Sequence, residues 1–84
     1  MSTIFTENLP HLDVHGLDRL TTIMLLKDFI NDNIILKNKY IVVVHGKGTG
    51  ALKEEITAYL KKCKNIKSYY LSSYNIGQTI IELF

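Results

Sequence analysis

A run of apolar, mostly β-branched residues that leads directly into a glycine-rich loop constrains the fold more than any other feature. Tyr40 to Val44 form a continuous apolar stretch, which is typical of a central strand covered on at least one face. His45 to Gly50 follow at once, and residues 51–63 then return to helical spacing. The segment therefore predicts a strand, a glycine loop and a helix in direct succession.

The first part of the chain predicts a second strand and a second helix. His11 to His15 alternate between polar and apolar residues, which indicates a short strand ended by Gly16. Asp18 suits the N-cap of an amphipathic helix of about four to five turns. Apolar residues recur along that helix at three- and four-residue spacings from Leu20 and Met24 onward, with no Gly or Pro among them.

The end of the chain predicts two more strands. Residues 66–74 are rich in Tyr, Leu and Ser and residues 78–83 are mostly apolar, with residues 75–77 as the turn between them. The order β-α-β-α-β-β predicts a two-layer α/β (α+β) sandwich, a four-stranded mixed sheet with both helices on one face. Six residues are expected in its core: Leu26, Ile30, Val42, Val44, Ile56 and Leu60.

Chain length and composition predict one small domain whose active site lies at the surface. Eighty-four residues suffice for one core but not for two lobes around a cofactor. We expect residues 1–10, which end in Leu9-Pro10, to be a leader and residues 11–84 to be the domain. Cys63 is the single cysteine, and neither a signal peptide nor a run of ~20 apolar residues is present. We therefore expect a cytoplasmic location, with no membrane partner.

Charge gives weak support for a polyanionic partner. Ten Lys and Arg residues against eight Asp and Glu residues leave a net charge of +2, too little to indicate nucleic acid by itself. The second half of the chain is the more basic side. Its lysines include Lys47, Lys53, Lys61, Lys62, Lys64 and Lys67.

The loop from His45 to Gly50 is the candidate phosphate-binding segment. Gly46, Gly48 and Gly50 permit a tight turn that exposes backbone N–H groups ahead of a helix N-terminus. Lys47 adds a positive charge, and Thr49 can cap the helix or donate a hydrogen bond. The alternative is a strand-to-helix turn whose glycines meet steric demands only, and the spacing does not match a P-loop.

Asp13, His15 and His45 are the candidate catalytic residues. Asp13 and His15 lie two apart on one strand, so their side chains project from the same face. If that strand neighbours residues 40–44, then His15 and His45 both stand at C-terminal strand ends, where α/β sheets tend to place their sites. We expect one surface to hold all three residues and the glycine loop. The alternative is a capping carboxylate and two structural histidines.

Both motifs resemble the Smr family, named for the small MutS-related domain at the C-terminus of MutS2 proteins. Leu12-Asp13-Val14-His15-Gly16 and the segment from Val44 to Leu52 are similar to its LDxHG and HGxGxG motifs, in the family's order and spacing. The similarity covers nearly the whole chain from residue 11. The segment from Ser72 to Gln78 departs from the family because it holds Gly77 as its single glycine.

This resemblance implies a fold like that of the C-terminal domain of translation initiation factor 3 and an activity that nicks DNA or cuts RNA. Asp13 and His15 match the family's Asp-x-His positions, and His45, Gly46, Gly48 and Gly50 match its second motif. Family members also act on mRNA at stalled or collided ribosomes. Kinship therefore implies RNA or DNA as partner, with the ribosome as a further one.

Two mechanisms are compatible with these residues. Metal-dependent phosphodiesterases gather several carboxylates around Mg²⁺ or Mn²⁺, and the motifs supply Asp13 alone. Two histidines, with an ordinary pKa of about 6.5, can instead act as general base and general acid on RNA, whose 2′-hydroxyl is a built-in nucleophile. We favour the second mechanism, with no required cofactor; which of His15 and His45 is the base stays open. A non-catalytic module that docks nucleic acid or a ribosomal partner is the alternative function.

Overall fold

The computed structural model describes residues 8–46, 50–72 and 77–84. It confirms the predicted order of elements. The elements are β1 (His11–Asp13), α1 (Arg19–Ile35), β2 (Tyr40–Val44), α2 (Ala51–Lys62), β3 (Ser68–Leu71) and β4 (Gln78–Glu82).

The four strands form one mixed sheet in the order β1-β2-β4-β3. β1 runs parallel to β2, whereas β4 pairs antiparallel with both β2 and β3. The apolar run of β2 therefore lies inside the sheet, as its residues predict.

Both helices cover the same face of this sheet. Ile41 of β2 is paired with Ile81 of β4, and both belong to a buried cluster that also contains residues of α1 and α2. Its helical members are Leu26, Ile30, Ile56 and Leu60. Paired residues of neighbouring strands point to the same face, so this inner face is the one that both helices bury. The predicted two-layer sandwich is confirmed.

The two helices begin differently. The carboxylate of Asp18 accepts a hydrogen bond from the Thr21 backbone N–H at 2.7 Å, which is the predicted N-cap of α1. Gly50 is the N-cap of α2, has a φ of 85° and offers no side chain. Thr49, which the sequence suggests as a cap, lies outside the described residues.

Several predictions of detail are wrong. Val44 is half-buried, not buried, because it is the last residue of β2 and lies between the polar residues Asp13 and Gln78 of the neighbouring strands. The apolar residues of α1 continue round to the solvent side, where Leu20 and Met24, which are not among the six predicted core residues, are exposed. β3 is shorter than the range 66–74, and residues 75 and 76 of the predicted turn lie outside the described part. In that part of the chain, no helix is long and apolar enough to cross a membrane.

Candidate active site

β1 and β2 end side by side, and the His15-Gly16 pair is offset by one residue from the His45-Gly46 pair. Asp13 is paired with Val44, and the Val14 backbone N–H donates to the Val44 carbonyl at 2.9 Å. Continuing this register places Val14 beside His45 and His15 beside Gly46. The two histidines are therefore not opposite each other, although each one follows the end of its strand within two residues.

Asp13 and His15 form an exposed pair at the end of β1. One oxygen of Asp13, Oδ1, accepts a hydrogen bond from the His15 backbone N–H at 3.1 Å and is 2.5 Å from His15 Nδ1. Because a carboxylate only accepts, the proton of the neutral imidazole lies on Nδ1, and Nε2 is left as its basic nitrogen. The side chains are 56% and 68% exposed. The pair can therefore meet a substrate from solvent.

Hydrogen bonds from His15 favour the ionised form of Asp13. The side-chain bond from His15 and then the backbone bond from His15 hold the pKa of Asp13 below its ordinary value. Asp13 thus stays ionised at neutral pH. An anion on the Nδ1 side orients the imidazole and stabilises the imidazolium that forms when Nε2 takes a proton.

His45 has a different environment at the end of β2. It is 5% exposed, and its Nδ1 lies 3.0 Å from the Gly46 carbonyl oxygen while its Nε2 lies 2.9 Å from Thr79 Oγ1. Burial lowers the pKa of His45, and the positive charge of Lys53 acts in the same direction. The expectation that His45 shares the exposed surface of Asp13 and His15 is wrong, because its ring is hydrogen-bonded in the interior.

Gly46 follows His45 in the chain and lies beside His15 in space. It has a φ of 85°, and a Cβ built on it would lie 3.4 Å from the Cβ of His15. The first glycine of the loop therefore lies beside the exposed histidine. Gly50 stands at the other end of the loop, where α2 begins. The remaining predicted phosphate-binding residues, Lys47, Gly48 and Thr49, lie outside the described residues.

The sequence reasoning missed two residues of this region, Thr79 and Gly77. Thr79 is buried on the inner face of β4, where its hydroxyl meets His45. The Gly77 carbonyl accepts from the backbone N–H groups of both His45 and Gly46, at 2.9 and 3.0 Å. A threonine that alternates with the apolar Ile81 on β4 was the available signal for Thr79, since a buried hydroxyl needs a partner.

The side chains around Asp13 do not fit a Mg²⁺ or Mn²⁺ centre within the described ranges. Such ions require several oxygen ligands, usually carboxylates. Asp13 has one imidazole as its near neighbour, and in residues 8–46, 50–72 and 77–84 no three His, Cys, Asp or Glu side chains gather. No step through a metal is derived for this site.

These features define a small α/β domain with an exposed Asp–His pair after its first strand, beside the glycine loop that follows its second strand. The model of the Smr domain family matches residues 12–83. The chain belongs to this family.

Curated relatives and solved structures agree with this assignment. The chain is 32% identical over 75 residues to endonuclease MutS2 of Clostridium kluyveri, covering 86% of this chain and 10% of that protein. It is 35% identical over 68 residues to endonuclease MutS2 of Lactiplantibacillus plantarum, covering 81% and 9%. The chain thus spans about a tenth of the length of these relatives.

Two solved structures show the same fold. The crystal structure of the Smr domain of Thermus thermophilus MutS2 superposes with a TM-score of 0.87 at 24% identity, over 90% of this chain and 99% of that one. The solution structure of the SMR domain of NEDD4-binding protein 2 gives 0.67 at 18% identity, over 99% and 94%.

Proposed function

We propose that this domain binds nucleic acid and cleaves phosphodiester bonds, with RNA as the preferred substrate. The observation that carries the proposal is the exposed hydrogen-bonded pair of Asp13 and His15, which has the geometry of an oriented general base. Relatives that carry the word endonuclease in their names support the reaction class.

In the proposed reaction His15 is the proton acceptor. Its Nε2 takes the proton of an RNA 2′-hydroxyl, the O2′ oxygen attacks the adjacent phosphorus, and the bond from phosphorus to the 5′-oxygen breaks. The departing 5′-oxygen takes a proton from water. Asp13 holds the imidazole through Nδ1 and stabilises its positive charge during the step.

The glycine loop supplies the binding part of the proposal. α2 begins directly after Gly50, so the direction of its backbone N–H groups and its dipole favour an anion at that end. We assign the phosphoryl contacts to Gly46, Lys47, Gly48, Thr49 and Gly50. Lys47 would contribute its charge to an interaction that weakens with added salt.

Cleavage of labelled RNA and DNA by the pure protein, with and without EDTA, tests the proposal. We expect RNA cleavage that persists in EDTA. Because the family resemblance predicts action at stalled ribosomes, the substrates should include mRNA on ribosomes as well as free RNA. His15→Gln should lower the rate by roughly 10²–10⁴ while leaving RNA binding intact, since an acid–base group contributes about that much.

His11 provides a matched control for this experiment. It is an exposed histidine on the same strand, bonded to the Leu9 carbonyl through Nδ1, and His11→Gln should keep the wild-type rate. Binding without cleavage by the wild-type protein would instead establish a non-catalytic nucleic-acid module. Activity that EDTA removes completely would contradict the metal-free reaction.

A further inference from the structure

Both ring nitrogens of His45 are already committed to partners inside the protein. The Gly46 carbonyl can only accept, so the proton of the neutral ring lies on Nδ1. Nε2 must then accept from the hydroxyl of Thr79, which is itself buried. A histidine in this arrangement has neither a free lone pair nor a free N–H for a substrate.

The backbone at His45 is tied to the same part of β4. His45 and Gly46 both donate their N–H groups to the carbonyl of Gly77, the residue that precedes β4. Backbone and side chain together therefore make three hydrogen bonds from this two-residue step to Gly77 and Thr79. These bonds fix where the chain leaves β2.

The position of Gly46 in turn bears on His15. The Gly46 Cα lies so close to His15 that an added Cβ would meet the His15 Cβ at 3.4 Å. Because the Gly46 backbone lies beside the Cβ of His15, a change in the position of Gly46 would change the surroundings of the His15 side chain. His45 can therefore influence His15 without contacting a substrate.

We propose that His45 is a positioning residue, which, together with Thr79, holds Gly46 against the catalytic His15. The effect on RNA cleavage rests on the proposed function, whereas the effect on the NMR signals of the histidine rings does not. It assigns proton transfer to His15 and removes His45 from the acid–base chemistry.

Thr79→Val and Thr79→Ser form the central test. Valine has the shape of threonine without the hydroxyl, and serine keeps the hydroxyl. We expect the ¹⁵N signals of the His45 and His15 rings to shift in Thr79→Val and to stay near the wild-type positions in Thr79→Ser. The RNA cleavage rate should fall roughly 10-fold or more in the valine variant, since small displacements at a reacting group are costly, and should recover in the serine variant.

The pH dependence of cleavage by His45→Gln separates positioning from proton transfer. Glutamine can still accept from Thr79 but does not reproduce the shape of the imidazole, so we expect a lower rate. The pH–rate profile should keep its shape, because His45 transfers no proton in this proposal. Loss of one limb of that profile would show that His45 transfers a proton and would overturn the inference. Unchanged His15 ring signals in Thr79→Val would also overturn it.

The two proposals can fail separately. A wild-type protein that cleaves no RNA or DNA refutes the proposed function, and the ring signals of His15 in the Thr79 variants still decide whether the contact between His45 and Thr79 positions it. Wild-type cleavage with identical rates in both Thr79 variants refutes the positioning role alone.

Discussion

The chain contains two strand ends of nearly the same local sequence, Val14-His15-Gly16 at the end of β1 and Val44-His45-Gly46 at the end of β2. In each case the glycine has a positive φ, 78° for Gly16 and 85° for Gly46. Yet His15 is exposed and paired with a carboxylate, whereas His45 is buried and paired with a hydroxyl. Residue type and position at a strand end therefore do not decide the role of a histidine.

The difference comes from the phase of side-chain alternation. Val14 is fully buried, so the next residue, His15, points away from the core. Val43 packs in the core, so Val44 points outward and His45 points inward again. A shift of one residue between the two strands thus separates a solvent-facing base from an interior hydrogen-bonding residue.

Among the changes that distinguish the two strand ends, Asp13→Asn should have the largest effect, a loss of cleavage rate. The amide cannot stabilise the imidazolium of His15, and its N–H₂ group can select the wrong tautomer, so cleavage should slow by roughly 10²–10⁴. Single-turnover cleavage of labelled RNA measures this change. Asp18→Asn, a similar substitution at the N-cap of α1, should keep the wild-type rate. Equal rates for both variants would show that the exposed pair is not the reacting one.

Gly46→Ala compared with Gly16→Ala tests the contact between the two strand ends. Both changes place a side chain at positive φ, which costs about 1–2 kcal/mol. Gly46→Ala also brings its Cβ to 3.4 Å from His15, whereas an added Cβ at Gly16 meets nothing within 4 Å. Urea unfolding should show a loss of about 1–2 kcal/mol for each variant, because both place a side chain at positive φ. The ¹⁵N ring signals of His15 should shift in Gly46→Ala and stay near the wild-type positions in Gly16→Ala. Unshifted ring signals in Gly46→Ala would contradict the proximity of Gly46 to His15.

The helices that follow the two strand ends should also respond differently. Asp18→Ala removes the hydrogen bond to the Thr21 N–H and should lower the free energy of unfolding by about 1 kcal/mol. α2 has no side-chain cap to lose at Gly50. Urea unfolding followed by helicity measures the loss in Asp18→Ala relative to the wild type. An unchanged midpoint would argue against the cap.

The smallest expected effect is a pH dependence of stability that belongs to His45. Its pKa is lowered in the folded protein, so the unfolded chain binds a proton first as pH falls below about 6.5. The contribution of His45 to the free energy of unfolding should therefore be fully present above that pH and should be lost as the pH falls toward the lower pKa of the folded state. Asp13 and Asp18, whose pKa values are also lowered, act only in more acidic solution. His45→Gln should flatten the slope of unfolding free energy between pH 8 and 5.5, and an unchanged slope would contradict the buried neutral ring.

Local patterns predicted most of the fold. The apolar run of β2, the N-cap at Asp18 and the alternation in β1 are short-range signals, because they depend on side-chain period and on turn chemistry. The same helical spacing includes Leu20 and Met24, which lie on α1 as predicted but face solvent. Spacing indicates that a helix forms, and the packing of neighbouring elements decides which of its apolar residues are covered.

The amino-acid sequence by itself determined the order of strands and helices, the pairing of Asp13 with His15 two residues apart, and the glycines that begin and end the loop. The tertiary structure decided which histidine faces solvent, because the register of β1 on β2 depends on contacts between distant segments. It also supplied Thr79, which lies 34 residues from His45 in the chain. A one-residue change in register reverses the face of every side chain, and no local pattern around either histidine contains that information.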